Sequence, residues 1–291
     1  MDIESGLSLL AEAARQNGRG AGGAEVIRNG SHLMFRLPAG IVARIGEAGT
    51  EDVAAREIAV SRWLQEHAVP VVRSASGFTQ PTTARGHPVT WWDVLPPHRT
   101  ATPGELGGLL RRLHDLPLPS AIDLPLFSPL SDVRRRVASA LLPEDDRAWI
   151  NERLATLERE FTQLAFTERP KLIHGDAWQG NVAVLETGEP ILLDLEAVCL
   201  GPTQWDLIAV AVDYTDFARI STNEYHDFVN AYGVDVTEAP GYRTLADIQE
   251  FRWASFILSK ASQDPAALAE AAHRISCLKG ETSRPWKWTA F

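Results

Sequence analysis

Residues Leu172–Asn181 read LIHGDAWQGN and residues Ile191–Gly201 read ILLDLEAVCLG. His174, Gly175 and Asp176 close one short apolar run, and Asn181 lies five positions beyond Asp176. Asp194 sits in the second apolar run, with Gly201 seven positions further on. A carboxylate that follows a glycine at the end of a buried strand is held out into a cleft. A carboxamide and a second carboxylate are hard oxygen donors, the kind Mg²⁺ takes when it also holds substrate phosphates. Asp176 is therefore the candidate catalytic base that orients a hydroxyl, and Asn181 and Asp194 are the candidate metal ligands. Positioning and charge neutralisation do most of the work in phosphoryl transfer, so this is its minimum equipment.

Upstream of these runs the pattern changes from helical to strand-like. Ile3, Leu7, Leu10 and Ala14 predict a helix over Asp2–Gln16, broken by the glycines of 18–23. His32–Leu37 and Ile41–Ile45 alternate with period two, flanked by the turn signals Asn29-Gly30-Ser31 and Pro38-Ala39-Gly40. A helix follows over Glu51–His67, and Val89–Leu95 reads as a further strand. Leu106, Leu109, Leu110 and Leu113 mark another helix. Pro143 opens one more, with Glu144, Asp145 and Asp146 in the first turn, where acids suit the helix dipole. Asn181–Leu185 reads as a strand, and 203–278 is mostly helical in pattern. The expected class is α+β, a β-rich N-terminal part followed by a helical C-terminal part.

Composition narrows the partners. The chain has 291 residues, 45% hydrophobic and 23% charged, which excludes collagen-like and disordered readings. No run approaches the roughly 20 apolar residues of a membrane helix. The acidic start MDIESG does not resemble an export signal, so a cytoplasmic location is expected. Two cysteines make neither a disulfide framework nor a zinc spacing. Net charge is −10, and residues 1–100 are balanced at ten acids and ten bases. Residues 201–250 carry nine acids against two arginines, a poor surface for nucleic acid and a natural one for a cationic small molecule.

HGD-x4-N followed by D-x6-G resembles the signature of the aminoglycoside phosphotransferase family, small-molecule relatives of the protein kinases. The likeness extends to Glu57 in a helix after the Val42-Ala43-Arg44 strand, to Leu113-His114, and to Pro202, Trp205 and Asp206. It implies a bilobal protein-kinase-like fold, with a small antiparallel-sheet nucleotide-binding lobe over 1–96 and a mostly helical lobe over 97–291. It also implies Mg²⁺, with ATP or GTP as phosphate donor. Asp176 is then the base, Asn181 and Asp194 the metal ligands, and His174 and Asp206 buried supports of the catalytic loop. One departure stands out: where such kinases place a lysine on the third strand, this chain has Arg44. A guanidinium also binds phosphate and keeps its charge, with Glu57 as its ion-pair partner. Ser31 falls where a phosphate-covering hairpin is expected, and Trp92 and Val94 fall at the hinge that holds the purine.

The same resemblance sets Asp213, Asp216, Glu224, Asp227 and Glu250 along the acceptor side. The acceptor expected from their charge is an amine-bearing small molecule such as an aminoglycoside, whose phosphorylation would confer antibiotic resistance. Two other readings compete. One is a nucleotide-binding pseudokinase, the other a metal-dependent hydrolase built on His174, Asp176 and Asp194. A kinase for a neutral sugar or amino-alcohol is the variant of the first reading.

Overall fold

Asp2 starts the first helix, its carboxylate accepting a hydrogen bond from the Ser5 amide and satisfying one of the free first-turn donors. In the computed structural model, residues 1–290 are described except 31, 165, 167, 168, 262 and 263. The first helix, α1 (Ile3–Gln16), is followed by β1 (Glu25–Asn29), β2 (Leu33–Leu37), β3 (Ile41–Ile45), α2 (Glu51–Glu66), β4 (Thr82–Ala84) and β5 (His87–Asp93). The five strands make one antiparallel sheet in the order β1-β2-β3-β5-β4. Strand periodicity decides its faces. Leu33, Phe35 and Leu37 of β2, Ala43 and Ile45 of β3, and Val89 and Trp91 of β5 form one core with Leu9, Leu10, Ala13 and Ala14 of α1. Arg44 alternates with Ala43 and Ile45, so it belongs to the opposite face of β3.

The chain continues through β6 (His98–Thr100), α3 (Pro103–His114), α4 (Ser131–Ser139), α5 (Glu144–Gln163) and β7 (Lys171–Ile173). It then forms β8 (Val182–Leu185), β9 (Pro190–Leu192), β10 (Cys199–Gly201), α6 (Trp205–Thr215), α7 (Thr222–Tyr232), α8 (Tyr242–Leu258) and α9 (Pro265–Leu278). Two compact units result, and they do not follow a single cut in the sequence. The first holds Met1–Ala101, Asp115–Pro125 and Gln179–Val198, and the second holds Thr102–His114, Leu126–Trp178 and Cys199–Phe291. Within the first, β6, β8 and β9 form a small antiparallel sheet. Within the second, β7 pairs with β10, Ile173 opposite Cys199.

Elsewhere in the second unit, α3 packs on α7 at Gly107, where an added Cβ would lie 2.8 Å from the Phe228 carbonyl oxygen. The C-terminal tail docks on the same unit. The Trp286 amide donates to the Asp216 carbonyl, and Trp286 and Trp288 stack on each other and meet Phe217 edge-on. Among the described residues no helix is long and apolar enough to cross a membrane. Cys199 and Cys277 are both buried and unbridged.

Candidate active site

In the first unit Arg44 is the centre of a charged cluster. Its Nη1 lies 2.5 Å from Glu57 Oε1 on α2, and its Nη2 lies 2.5 Å from Glu196 Oε2. Asp194 Oδ1 stands 3.9 Å from the same guanidinium, and His32 Nε2 lies 2.8 Å from Nη2 and 2.7 Å from Glu196. Glu57 is only 3% exposed, so its charge depends on Arg44. Burial opposes the Arg44 charge, but the carboxylates of Glu57, Asp194 and Glu196 outweigh it and hold the guanidinium above its ordinary value. Burial likewise pushes Glu196 up, and the hydrogen bond from His32 and the Arg44 charge overcome it, leaving Glu196 below the usual carboxylate range.

Asn181 ends a 3₁₀ turn (Gln179–Asn181), and Asp194 precedes another (Leu195–Ala197). The Leu193 amide donates to the Asn181 carbonyl at 2.9 Å, which binds the two segments directly beside Asp194. Asp194 takes the left-handed conformation, φ 51°, unusual for a side chain with a Cβ. Its carboxylate is about half-exposed while Asn181 is buried. Two hard oxygen donors, one solvent-facing, suit a Mg²⁺ ion whose remaining positions go to phosphate and water. Among the described residues no group of three or more His, Cys, Asp or Glu could cage a metal without such help.

The residues expected at the hinge, Trp92 and Val94, also lie in the first unit. Trp92 is buried, pairs with Val42 across the sheet, and donates from Nε1 to the Thr90 hydroxyl. The Val94 amide donates to the Gly40 carbonyl, so it is engaged within the protein. A cavity of about 940 Å³ opens beside these residues, lined by Arg36, Leu37, Pro38, Gly40 and the segment 94–98. Ser31, the expected phosphate-covering residue, lies outside the described residues.

The second unit carries Asp176. Asp206 organises its loop: the carboxylate accepts from the His174 amide at 2.6 Å, from the Gly175 amide at 2.8 Å and from His114 Nε2 at 3.0 Å. Burial raises Asp206, but His114 and the positive field of these donors overcome it and hold the carboxyl below its ordinary range. Gly175, at φ 81°, makes the bend that no side chain tolerates well. Trp205 Nε1 donates to the Gly175 carbonyl, and the Asp176 amide donates to His174 Nδ1. The loop is thus held from beneath while the Asp176 carboxylate remains 49% exposed. A braced loop presenting an accessible carboxylate can take a proton from a bound hydroxyl.

A family model for phosphotransferase enzymes matches residues 24–248, most of the chain. The chain belongs to the phosphotransferase enzyme family. A probable ketoamine kinase of Synechocystis is 38% identical over 74 residues, which is 25% of this chain and 22% of that relative. The curated relatives are therefore matched over less than a quarter of their length. A choline/ethanolamine kinase family protein from Mesorhizobium loti shares the fold at a TM-score of 0.63 and 20% identity, over 98% of this chain and 96% of that one. A spectinomycin phosphotransferase solved with ADP and spectinomycin aligns at a TM-score of 0.62 and 13% identity, again over 98% and 96%. The five-stranded antiparallel sheet and the helical C-terminal region thus form a protein-kinase-like fold.

Four of the five acids expected along the acceptor side of this phosphotransferase-family chain have internal roles. Asp213 pairs with Arg219 at 2.8 Å. Asp216 binds Arg243 and Arg284, and Glu250, almost fully buried, binds the same two arginines. Glu224 closes a capping box with Ser221 at the start of α7. Asp227 is exposed on that helix. The imbalance counted over 201–250 stops short of Arg284, which supplies one of the missing charges.

Three residues near the candidate groups carry no signal in the sequence: His32 beside Arg44, and Arg136 and Arg252 in the second unit, whereas Glu196 is legible only as a neighbour of the metal loop and not as a partner of Arg44. Arg252 Nη2 lies 4.0 Å from Asp176 Oδ1. Glu196 had a local signal, two positions past Asp194. The others are brought in by tertiary packing, and nothing in their spacing marks them.

Proposed function

We propose that this chain transfers the γ-phosphoryl group of ATP or GTP to a hydroxyl of a small molecule. The observation that carries this reading is the Arg44 cluster, where one cation holds Glu57 and stands beside Asp194, the residue the family pattern makes a metal ligand. Arg44 then holds donor phosphates in place of the usual lysine, with Asn181 and Asp194 holding Mg²⁺ against them. The bound metal supplies charge neutralisation on the transferring phosphate. Asp176 accepts the proton of the acceptor hydroxyl as its oxygen bonds to phosphorus, and the bond to the nucleoside diphosphate breaks. The purine of the donor sits in the cavity lined by Gly40 and Val94.

The ADP held by the spectinomycin phosphotransferase supports a nucleotide donor. An amine-bearing acceptor, such as an aminoglycoside, rests on the charge of residues 201–250 alone. The internal ion pairs of Asp213, Asp216 and Glu250 weigh against it. The test joins calorimetry of Mg-nucleotide binding to an acceptor screen by coupled ADP or GDP release. Asp194→Ala is expected to abolish Mg-nucleotide binding and Asn181→Ala to weaken it. Asp176→Asn is expected to bind nucleotide normally while kcat falls about 10²–10⁴-fold. Unchanged affinity in both metal-ligand variants, or near wild-type kcat in Asp176→Asn, overturns these roles.

A further inference from the structure

A hydroxyl that gives its proton to Asp176 must lie within hydrogen-bond reach of that carboxylate, so the side chains around Asp176 face the acceptor. In the second unit one of them is Arg252 of α8, whose guanidinium stacks over Trp205, 5.1 Å from the ring centre. At 4.0 Å its approach to Asp176 is too long for a hydrogen bond, so the planar fork of donors is not spent on the base. Arg136 of α4 completes a pair. It reaches the Ser255 hydroxyl on α8 only at 3.5 Å and lies over the Phe256 ring. Among the described residues neither guanidinium donates a hydrogen bond to a carboxylate.

Other arginines of this unit are engaged differently: Arg147 and Arg159 donate to backbone carbonyl and hydroxyl oxygens. Arg134, Arg153, Arg219, Arg243, Arg274 and Arg284 each hold a carboxylate at 2.5–2.9 Å. Burial holds the Arg136 guanidinium below its ordinary value; Asp132 and Asp176 oppose this, and the neighbouring charges of Arg252 and Arg135 add to it. Two half-buried like charges whose neighbouring acids, Asp132 and Asp176, accept no hydrogen bond from either guanidinium among the described residues cost free energy that an anion between them would offset. A further cation lies just past the end of α8: Lys260 Nζ stands 4.7 Å over the Phe256 ring, which Arg136 also covers.

We propose that the acceptor carries an oxyanion, a carboxylate or a phosphate group, seated on Arg252 and Arg136 while its hydroxyl faces Asp176. This rests on reading Asp176 as the base and reverses the sign expected from the acids of 201–250. Guanidinium forks match such groups bidentately, so the pair would fix the acceptor's orientation as well as select its charge. A steadying role for Arg252 predicts something different: Arg252→Gln would then lower kcat for every acceptor alike and leave relative affinities untouched.

The test uses the full chain with saturating Mg-ADP, which keeps probe anions out of the donor-phosphate site. Two matched sets serve as probes in calorimetry: glucose, glucosamine, glucuronate and glucose 6-phosphate, then glycerol, 3-amino-1,2-propanediol, glycerate and glycerol 3-phosphate. In at least one set the carboxylate or phosphate member is expected to bind at least tenfold more tightly than the neutral one. Which of the two wins distinguishes the sources of the oxyanion. Arg252→Gln and Arg136→Gln should each cut that preference at least threefold and the double variant should erase it, with Mg-ADP affinity within twofold of wild type. Arg252→Lys should restore part of it. Tighter binding of the neutral or amine member, no anion preference in either set, or a preference indifferent to both substitutions overturns the proposal and leaves the kinase reading standing. Failure of Mg-ADP to bind overturns the kinase reading itself.

Discussion

Arg44 uses both terminal nitrogens on different carboxylates, Glu57 on one side and Glu196 on the other. The fork is therefore a structural clamp as well as a source of charge. Arg44→Ala leaves Glu57 buried and uncompensated, a change that costs about 3–5 kcal/mol. Arg44→Lys keeps one charge, but a single ammonium cannot span the two acids at their present positions. A loss of about 1–3 kcal/mol is expected, with the pair to Glu57 kept and that to Glu196 given up. Urea midpoints at constant slope measure both. The nucleotide KM should rise in the same order, Ala above Lys above wild type. A lysine variant as stable as wild type would mean that Glu196 contributes nothing to the clamp. From sequence alone Arg44 is legible as a cation for phosphates because β3 alternates cleanly. That Glu196, 152 positions away, and His32, 12 positions away, close on it is not legible, since only the folded packing brings them to the guanidinium.

At the scale of elements, legibility follows periodicity. β2, β3, α1, α2, α3 and α5 lie within a few residues of where apolar spacing places them, because each buries one regular face. β1 escapes detection since all five of its residues are exposed and it pairs only along β2. α4 escapes because its nine residues bury only Val133 and Val137, and three consecutive arginines hide that pair. The cost of missing α4 is functional, for Arg136 sits on it. The catalytic loop is legible for the opposite reason: its groups lie close together in sequence. α3 and α7 show what helix spacing leaves unsaid. Their contact at Gly107 admits no Cβ, and His114 at the end of α3 holds Asp206. Gly107→Ala must push the helices apart against the Phe228 backbone, and about 1–3 kcal/mol of destabilisation is expected. Activity should fall further than the folded fraction does, because His114 moves with α3. Chemical denaturation and kcat measured together check this, and an alanine variant matching wild type in both would show that the contact yields freely.

The whole chain carries a net charge of −10, yet acids in both units are held by arginines rather than left as a free anionic field. Asp216 illustrates how far that organisation reaches, since one residue joins Arg243, Arg284 and, through its carbonyl, the Trp286 amide. The tail beyond α9 is consequently part of the second unit's core. Trp286 is 3% exposed, stacks under the Arg284 guanidinium at 4.0 Å, and packs against Phe217 and Trp288. Removing a buried tryptophan side chain costs about 3–5 kcal/mol. For a unit of this size that lowers the melting temperature by on the order of 10 °C. The groups proposed to bind Mg-nucleotide, Arg44, Asn181 and Asp194, all belong to the first unit. Trp286→Ala should therefore melt early in calorimetry while Mg-nucleotide affinity at 25 °C stays within about twofold of wild type. A melting temperature within about 2 °C of wild type would show that the tail lies on the unit without supporting it. Lost nucleotide affinity at 25 °C, in a variant still folded at that temperature, would show that the first unit does not bind nucleotide independently of the tail's packing.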